Sequence, residues 1–183
     1  MRLMLAAAVA AVALAPKPPA SGLLATEPSV AGVRAYYAPT AGVGGIDPRL
    51  IDAALSSIDM AAYVLTDRPI VEALGRAAMR GVRLRIYLDG EQMSRAHESV
   101  ARLAATPNVE LRSKRRSLDA MHLKSFVVDR RVLRSGSANF SVSGEDYQDN
   151  DLLVIDSPEL AARFEENFER MWTRADNQRI GVR

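Results

Sequence analysis

The sequence has no cysteine among its 183 residues, which excludes a disulfide framework and a thiol nucleophile. It has two histidines, His97 and His122, too few for a zinc site built from clustered His and Cys. Its N-terminal apolar run, residues 3–15, is short for a membrane span, which needs about 20 residues. The Gly-rich stretch 38–45 lacks the Gly-Lys-Ser/Thr ending of a phosphate-cradling P-loop and reads as a plain loop. No internal repeat is visible. What is present is ordinary for one globular domain with a sizeable core: 48% hydrophobic and 25% charged residues.

Residues 1–20 read as a signal peptide, with one Arg, an apolar run and the ending Ala13-Leu14-Ala15. Pro16 follows directly and is awkward for cleavage there, which moves the expected cut into 17–25; a retained anchor is the alternative. Residues 21–32 read as a linker, 33–175 as a single domain and 176–183 as a tail. The implied location is outside the cytoplasm, periplasmic or secreted, with no stable membrane span once the signal is removed.

Within the domain, strands alternate with helices. Strands are predicted at 33–37, 58–65, 84–88, 109–112, 123–128, 132–135 and 150–155. Helices are predicted at 48–57, with Asp47 as N-cap, and at 69–80, stopped by Gly81. Two more are predicted at 96–105 and at 158–174, the last capped by Ser157. Leu160, Phe164, Phe168 and Met171 mark the buried face of that last helix, with Trp172 beside them. The class is α/β, a mixed sheet flanked by helices on both faces.

One stretch concentrates the chemistry. Residues 121–140 read MHLKSFVVDRRVLRSGSANF. His122, Lys124 and Asp129 punctuate an apolar run, and Gly136, Ser137 and Asn139 follow. Side chains two apart on a strand share a face, so His122 and Lys124 project together, as do Ser137 and Asn139 if the chain is extended there. Asp129-Arg130-Arg131 predicts a tight turn between two strands. The hairpin sets an imidazole, an ammonium, a hydroxyl and an amide around one small space, and that set suits a phosphodiester. The lysine supplies positive charge, while Ser137 and Asn139 donate to non-bridging oxygens. The imidazole is left to attack phosphorus or move a proton. Taken singly, His122 and Lys124 read more readily as structural residues; their combination with Gly-Ser-x-Asn favours function.

Written as H-x-K-x4-D-x6-G-S-x-N, the stretch resembles the HKD signature of the phospholipase D superfamily at all six fixed positions. From about residue 33 to 174 the order of elements is similar to the small bacterial single-motif endonucleases of that superfamily. Met60-Ala-Ala-Tyr63, with the helix running to Arg80-Gly81-Val82, is one such phrase; the closing strand and the helix ending near Trp172 are another. The resemblance implies a phospholipase D-like fold and catalytic positions His122, Lys124 and Asp129, the last mainly architectural. It implies phosphate-binding positions Lys124, Ser137 and Asn139. Neither a metal nor a cofactor is implied. Members use two motifs per site and this chain has one, so a homodimer with a shared active site is implied. One His122 would form a phosphohistidine and the other would protonate the leaving oxygen. Related nucleases place an acidic residue against the histidine; by spacing from Gly136 the matching position is Asn150, a possible histidine-orienting residue that offers an amide in place of a carboxylate.

Charge is unevenly spread. Residues 101–140 carry nine Lys/Arg against three acids, or +6, and residues 141–183 five Arg against ten acids, or −5. Arg112, Lys114, Arg115 and Arg116, just upstream of His122, are possible nucleic-acid backbone contacts or else a solvated loop. The first reading of function is therefore a non-specific nuclease. A phospholipase D cleaving phospholipid headgroups is the alternative, and a silent binding module the third.

Overall fold

The computed structural model describes residues 32–40, 42–92, 97–115 and 119–181. The expected signal peptide, all but the end of the expected linker, and Arg116 lie outside the described residues.

Eight strands form one mixed sheet among the described residues: β1 (Val33–Ala38), β2 (Ser57–Ala62), β3 (Arg83–Leu88), β4 (Val109–Ser113), β5 (Lys124–Val128), β6 (Val132–Gly136), β7 (Asn150–Asp156) and β8 (Gln178–Ile180). Their order is β1-β7-β6-β5-β2-β3-β4-β8. β2, β3 and β4 are parallel, joined by α2 (Arg68–Met79) and α3 (His97–Ala104). All other pairings are antiparallel. The helices divide between the two faces, as the class expected. On one face α2 presents Ile70, Ala73, Leu74 and Ala77, one stripe at helical spacing, to Ile58 and Met60 of β2 and Leu84 and Ile86 of β3. On the other, α5 (Pro158–Trp172) lays Phe168, Met171 and Trp172 over Ala61 and Tyr87. Each large side chain so buried contributes about 1.5–3 kcal/mol.

Local signals decided some boundaries and not others. Ser157 caps α5 as expected, its hydroxyl accepting from Leu160 N. The first helix, α1 (Ile46–Asp52), is shorter than expected and begins before Asp47, which turns inward and is fully buried instead of capping. Its end is set from a distance. Asp129 takes the backbone N–H groups of Leu55, Ser56 and Ser57 and pulls them out of any helix. A five-residue helix, α4 (Val142–Asp146), was not expected; Ser141 caps it by accepting from Gly144 N. The expected tail carries β8, which pairs with β4 through Arg112 and Arg179.

The strand alternation of β6 places Arg134 in the interior, where it is fully buried with Asp47 and Glu145 beside it. Arg134 Nε donates to Asp47 Oδ1 at 3.0 Å. Its Nη2 lies 2.7 Å from Asp47 Oδ2 and 3.7 Å from Glu145 Oε1, ion-pair contacts that are off the line of a hydrogen bond. Its Nη1 donates to the carbonyls of Lys124 (2.8 Å) and Ala138 (3.1 Å). One guanidinium cannot neutralise two buried carboxylates. Burial, and then the charge of Asp47, push the Glu145 carboxyl up to about 10, so it keeps its proton at pH 7.

A carboxyl raised in the fold stabilises fully below its ordinary value near 4.5 and loses that contribution as pH rises toward the folded value. Glu145→Gln mimics the protonated form, so its Tm should exceed that of the wild-type chain by a margin that widens from pH 5 to pH 9, by up to about 1.4 kcal/mol per pH unit. Thermal scans across that range read it directly, and a margin that does not change with pH would contradict the assignment. Arg134→Met, which strands the charge of Asp47, should cost about 3–5 kcal/mol.

Candidate active site

β2 and β3 end, and β5 and β7 begin, at the same end of the sheet. β5 runs antiparallel to β2 with Lys124 opposite Ala62. Tyr63 N then donates to Leu123 O at 2.8 Å and carries the pairing one residue beyond the strand. That register places Lys124, buried, at the first position of β5, with exposed His122 two residues before it. Lys124 Nζ donates to His122 O at 2.7 Å and lies 3.1 Å from His122 Nδ1. An ammonium has no lone pair, so Nδ1 accepts and the neutral ring carries its hydrogen on Nε2. Burial, and after it the charge of Arg134, hold Lys124 below the ordinary lysine value. The segment entering β5 is fixed by Asp89, a buried carboxylate at the end of β3. Its Oδ2 accepts from Met121 N at 2.8 Å, and its Oδ1 accepts from the backbone of Glu91 and Gln92.

The other half of the site follows β6. Gly136 has φ of 139°, and a Cβ there would collide with the carbonyl of Asp151, so only glycine permits this approach of β6 to β7. Ser137 N donates to Asp151 Oδ1 at 3.0 Å, and Ser137 Oγ accepts from Asp151 N at 2.9 Å. The Ser137 hydroxyl holds the Asp151 carboxyl below the ordinary aspartate range. Ser137 is therefore already engaged: it straps the hairpin to β7. Asn139 behaves differently. Its Oδ1 is buried with no hydrogen-bond partner among the described residues. Gly144 makes room for it, since a Cβ there would sit 2.6 Å from Asn139 O and 2.9 Å from Asn139 N. A buried acceptor with no partner is where a ligand donor such as a hydroxyl is expected.

Asp129 stands apart from His122 and Lys124, in the mainly architectural role expected of it. It lies past the far end of β5, roughly five strand residues or ~16 Å from Lys124. Its oxygens accept from Leu55 N, Ser56 N, Ser56 Oγ and Ser57 N at 2.8–2.9 Å. That bracket sustains left-handed backbone at Asp129 and Arg130, φ 51° and 56°, which the tight hairpin requires. Asn150 does not orient His122: its Nδ2 donates to Gly144 O at 2.8 Å and to Gln148 Oε1 at 3.4 Å. It braces α4, and through it the floor under Asn139.

Two residues of the basic run, Arg112 and Lys114, are engaged by the fold itself. Arg112 donates to Trp172 O at 2.7 Å and its guanidinium lies 4.4 Å from the Trp172 ring centre, so it fastens the end of α5 to β4. Lys114 donates to the carbonyl of Asp119. Arg115 is exposed. Site residues that sequence reasoning gave no role are Asp89, Tyr63, Gln92, Arg134 and Gly144. Asp89 had a signal, since ligands gather at the carboxyl ends of parallel strands.

Comparison with known proteins places these features in a family. The family model described as "Cardiolipin synthase, PLD-like domain" matches residues 48–172. The phospholipase D of Rickettsia felis is 30% identical over 140 residues, covering 74% of this chain and 67% of that protein. The mitochondrial cardiolipin hydrolase of Mus musculus is 27% identical over 128 residues, and the chain spans 57% of its length. The crystal structure of a phospholipase D family member, Nuc from Salmonella typhimurium, matches with a TM-score of 0.73 and 28% identity, over 82% of this chain and 98% of that one.

The Asp129 bracket has a pH signature. Burial acts to raise its carboxyl, but hydrogen bonds from Ser57, Leu55 and Ser56 outweigh it and hold the group below its ordinary value. A depressed value stabilises above the ordinary carboxylate range and is lost as pH falls. Asp129→Ala should cost about 2–3 kcal/mol at pH 7 while leaving kcat per folded molecule unchanged. Its deficit in Tm should shrink below about pH 4. A large fall in kcat at temperatures where the variant is folded would return Asp129 to the catalytic group.

Proposed function

The chain belongs to the phospholipase D-like domain family, whose members act on phosphodiesters, and from that premise we propose that it is a nuclease working through a covalent phosphohistidine on His122. The observation that carries the reading is the exposed imidazole whose Nδ1 lies 3.1 Å from the buried Lys124 ammonium, with the unpartnered Asn139 amide at the same end of the sheet. As phosphate arrives, Lys124 leaves Nδ1 for a non-bridging oxygen, where its charge offsets the negative charge of the transition state. Nδ1 then takes the ring hydrogen, and Nε2 gains the lone pair a nucleophile needs. Nε2 gives that pair to phosphorus, and the bond to the leaving oxygen breaks in line. The leaving oxygen takes a proton from His122 of the partner subunit. Water next loses a proton to that second imidazole and attacks phosphorus. The P–N bond breaks, its electron pair returns to His122, and a phosphomonoester departs. Asn139 steadies the phosphate in both steps.

Two chains enter the scheme because one imidazole cannot stand on both sides of phosphorus. Catalysis without a metal is part of the same proposal. Among the described residues no three His, Asp or Glu side chains gather where an ion would bind. Nucleic acid is favoured by exposed Arg115, which follows β4 at the same end of the sheet as His122, and by a chain nearly coextensive with the Nuc domain. The phospholipid reading has its own support. Relatives are named phospholipase D and cardiolipin hydrolase, and Tyr37, Val142 and Tyr147 are exposed around β1 and α4, beside the start of β7.

Purified protein should cleave single-stranded or duplex DNA in excess EDTA, and His122→Ala should lower the rate by at least about a thousandfold. Mixing wild-type with His122→Ala chains and allowing exchange should leave mixed dimers inactive, so that activity falls below the wild-type chain fraction. Arg115→Ser should raise KM for DNA and flatten its salt dependence. Turnover of phosphatidylcholine vesicles without DNA cleavage would transfer the assignment to phospholipids. Full activity of the His122→Ala variant would end both readings.

A further inference from the structure

Among the described residues no carboxylate holds His122, and Asn150 Nδ2 is committed to Gly144 and Gln148. Yet an imidazole at an exposed position must be held in one orientation for an in-line attack, because misplacement by about 1 Å costs on the order of a hundredfold in rate. We propose that Tyr63, braced by Gln92, is the positioning residue of His122; the inference rests on the phosphohistidine reading above.

The Tyr63 ring lies against the imidazole, with centroids 4.4 Å apart and planes tilted by 56°. Lys124 Nζ sits 4.8 Å from the centre of the same ring. One aromatic surface therefore backs both the nucleophile and the cation beside it, closing the directions in which either could swing away. The ring is itself held at both ends. Its backbone N–H is paired to Leu123 O at 2.8 Å, inside the register that joins β2 to β5. Its hydroxyl accepts from Gln92 Nε2 at 3.2 Å, and Gln92 N in turn donates to Asp89 Oδ1, while Oδ2 of that carboxylate holds Met121. Asp89 thus fixes the brace and the strand entry together. The arrangement restrains the ring of His122 through packing, where a carboxylate would do so through a hydrogen bond.

The roles separate kinetically with a small chromogenic phosphodiester as substrate. Tyr63→Leu keeps an apolar side chain and removes the ring; its kcat should fall about 30- to 100-fold with KM changed less than about threefold. Tyr63→Phe keeps the ring but loses the hydroxyl that Gln92 grips, so it and Gln92→Ala should fall alike, by about three- to tenfold. Proton NMR of the His122 ring gives a readout independent of turnover: its resonances should lose their ring-current shift in Tyr63→Leu and keep it in Tyr63→Phe. Wild-type kcat in Tyr63→Leu overturns the inference, as does a Phe variant as slow as the Leu variant at equal Tm. Should Tyr63→Leu fail to fold, Gln92→Ala decides, because an unchanged kcat there removes the brace from the argument. His122→Ala is the control. If it stays active the phosphohistidine reading fails, whereas if it is dead while Tyr63→Leu is normal, only the positioning role fails.

Discussion

Arg134 sits where three parts of the molecule meet. Its guanidinium binds Asp47 of α1, approaches Glu145 of α4, and donates to the carbonyls of Lys124 and Ala138. The last two are the points at which the hairpin of the candidate site begins and ends. A planar cation with five donors can satisfy all of these directions at once; a lysine could not. The ring of Phe140, whose centre is 4.5 Å from the guanidinium carbon, closes one face of it. Such a group would be costly to bury if incompletely paired, and a buried ion pair gives little net stability against a well-packed apolar substitute. Its value here is geometric. It fixes the spacing between the strand that carries Lys124 and the turn that carries Asn139, and the spacing of those two groups is what a phosphate would meet.

The same cation shapes the electrostatics of the site. Lys124 lies near enough to Arg134 for that charge to add to burial in lowering its proton affinity. Sequence charge counts gave no hint of this, because they treat every cation as available to solvent. Of the basic residues in 101–140, Arg134 is buried, Arg112 is bound to Trp172, Lys114 to a backbone carbonyl, and Arg131 to Asp156. Part of the positive charge in that segment is thus scaffold, while Arg102, Arg115, Arg130 and Arg131 face outward.

What could be read from the chain and what could not divide along sequence distance. The motif was legible because its polar residues lie within one hairpin, where a period of two and a short turn determine which side chains meet. The alternation of strands and helices, the mixed sheet and the capping of α5 by Ser157 were legible for the same reason. Arg134 and Asp47 are 87 residues apart, and Asp129 is 73 from Ser56. Nothing local announces such pairs; they exist only once β5 is known to lie beside β2. Asp47 fitted the pattern of a helix cap well, and a buried partner overrode it. Asn150 was placed at the correct strand end, but its direction depended on α4, a helix too short to leave a periodic signature. The Tyr63 phrase was visible, yet its use against His122 needed the β2–β5 register.

The strand order leaves the sheet two edges, β1 and β8. β8 is three residues long, and Gln178 and Arg179 are exposed. A short, polar edge recruits other strands poorly. Behind it lies β4, whose Leu111–Ser113 backbone is covered by β8 alone on that side. During synthesis β8 is the last of the eight strands to leave the ribosome. Until it docks, a nascent chain that already holds every residue of the site presents an open β4 edge to its neighbours. Closure of that edge therefore waits on three residues that lie outside the candidate site.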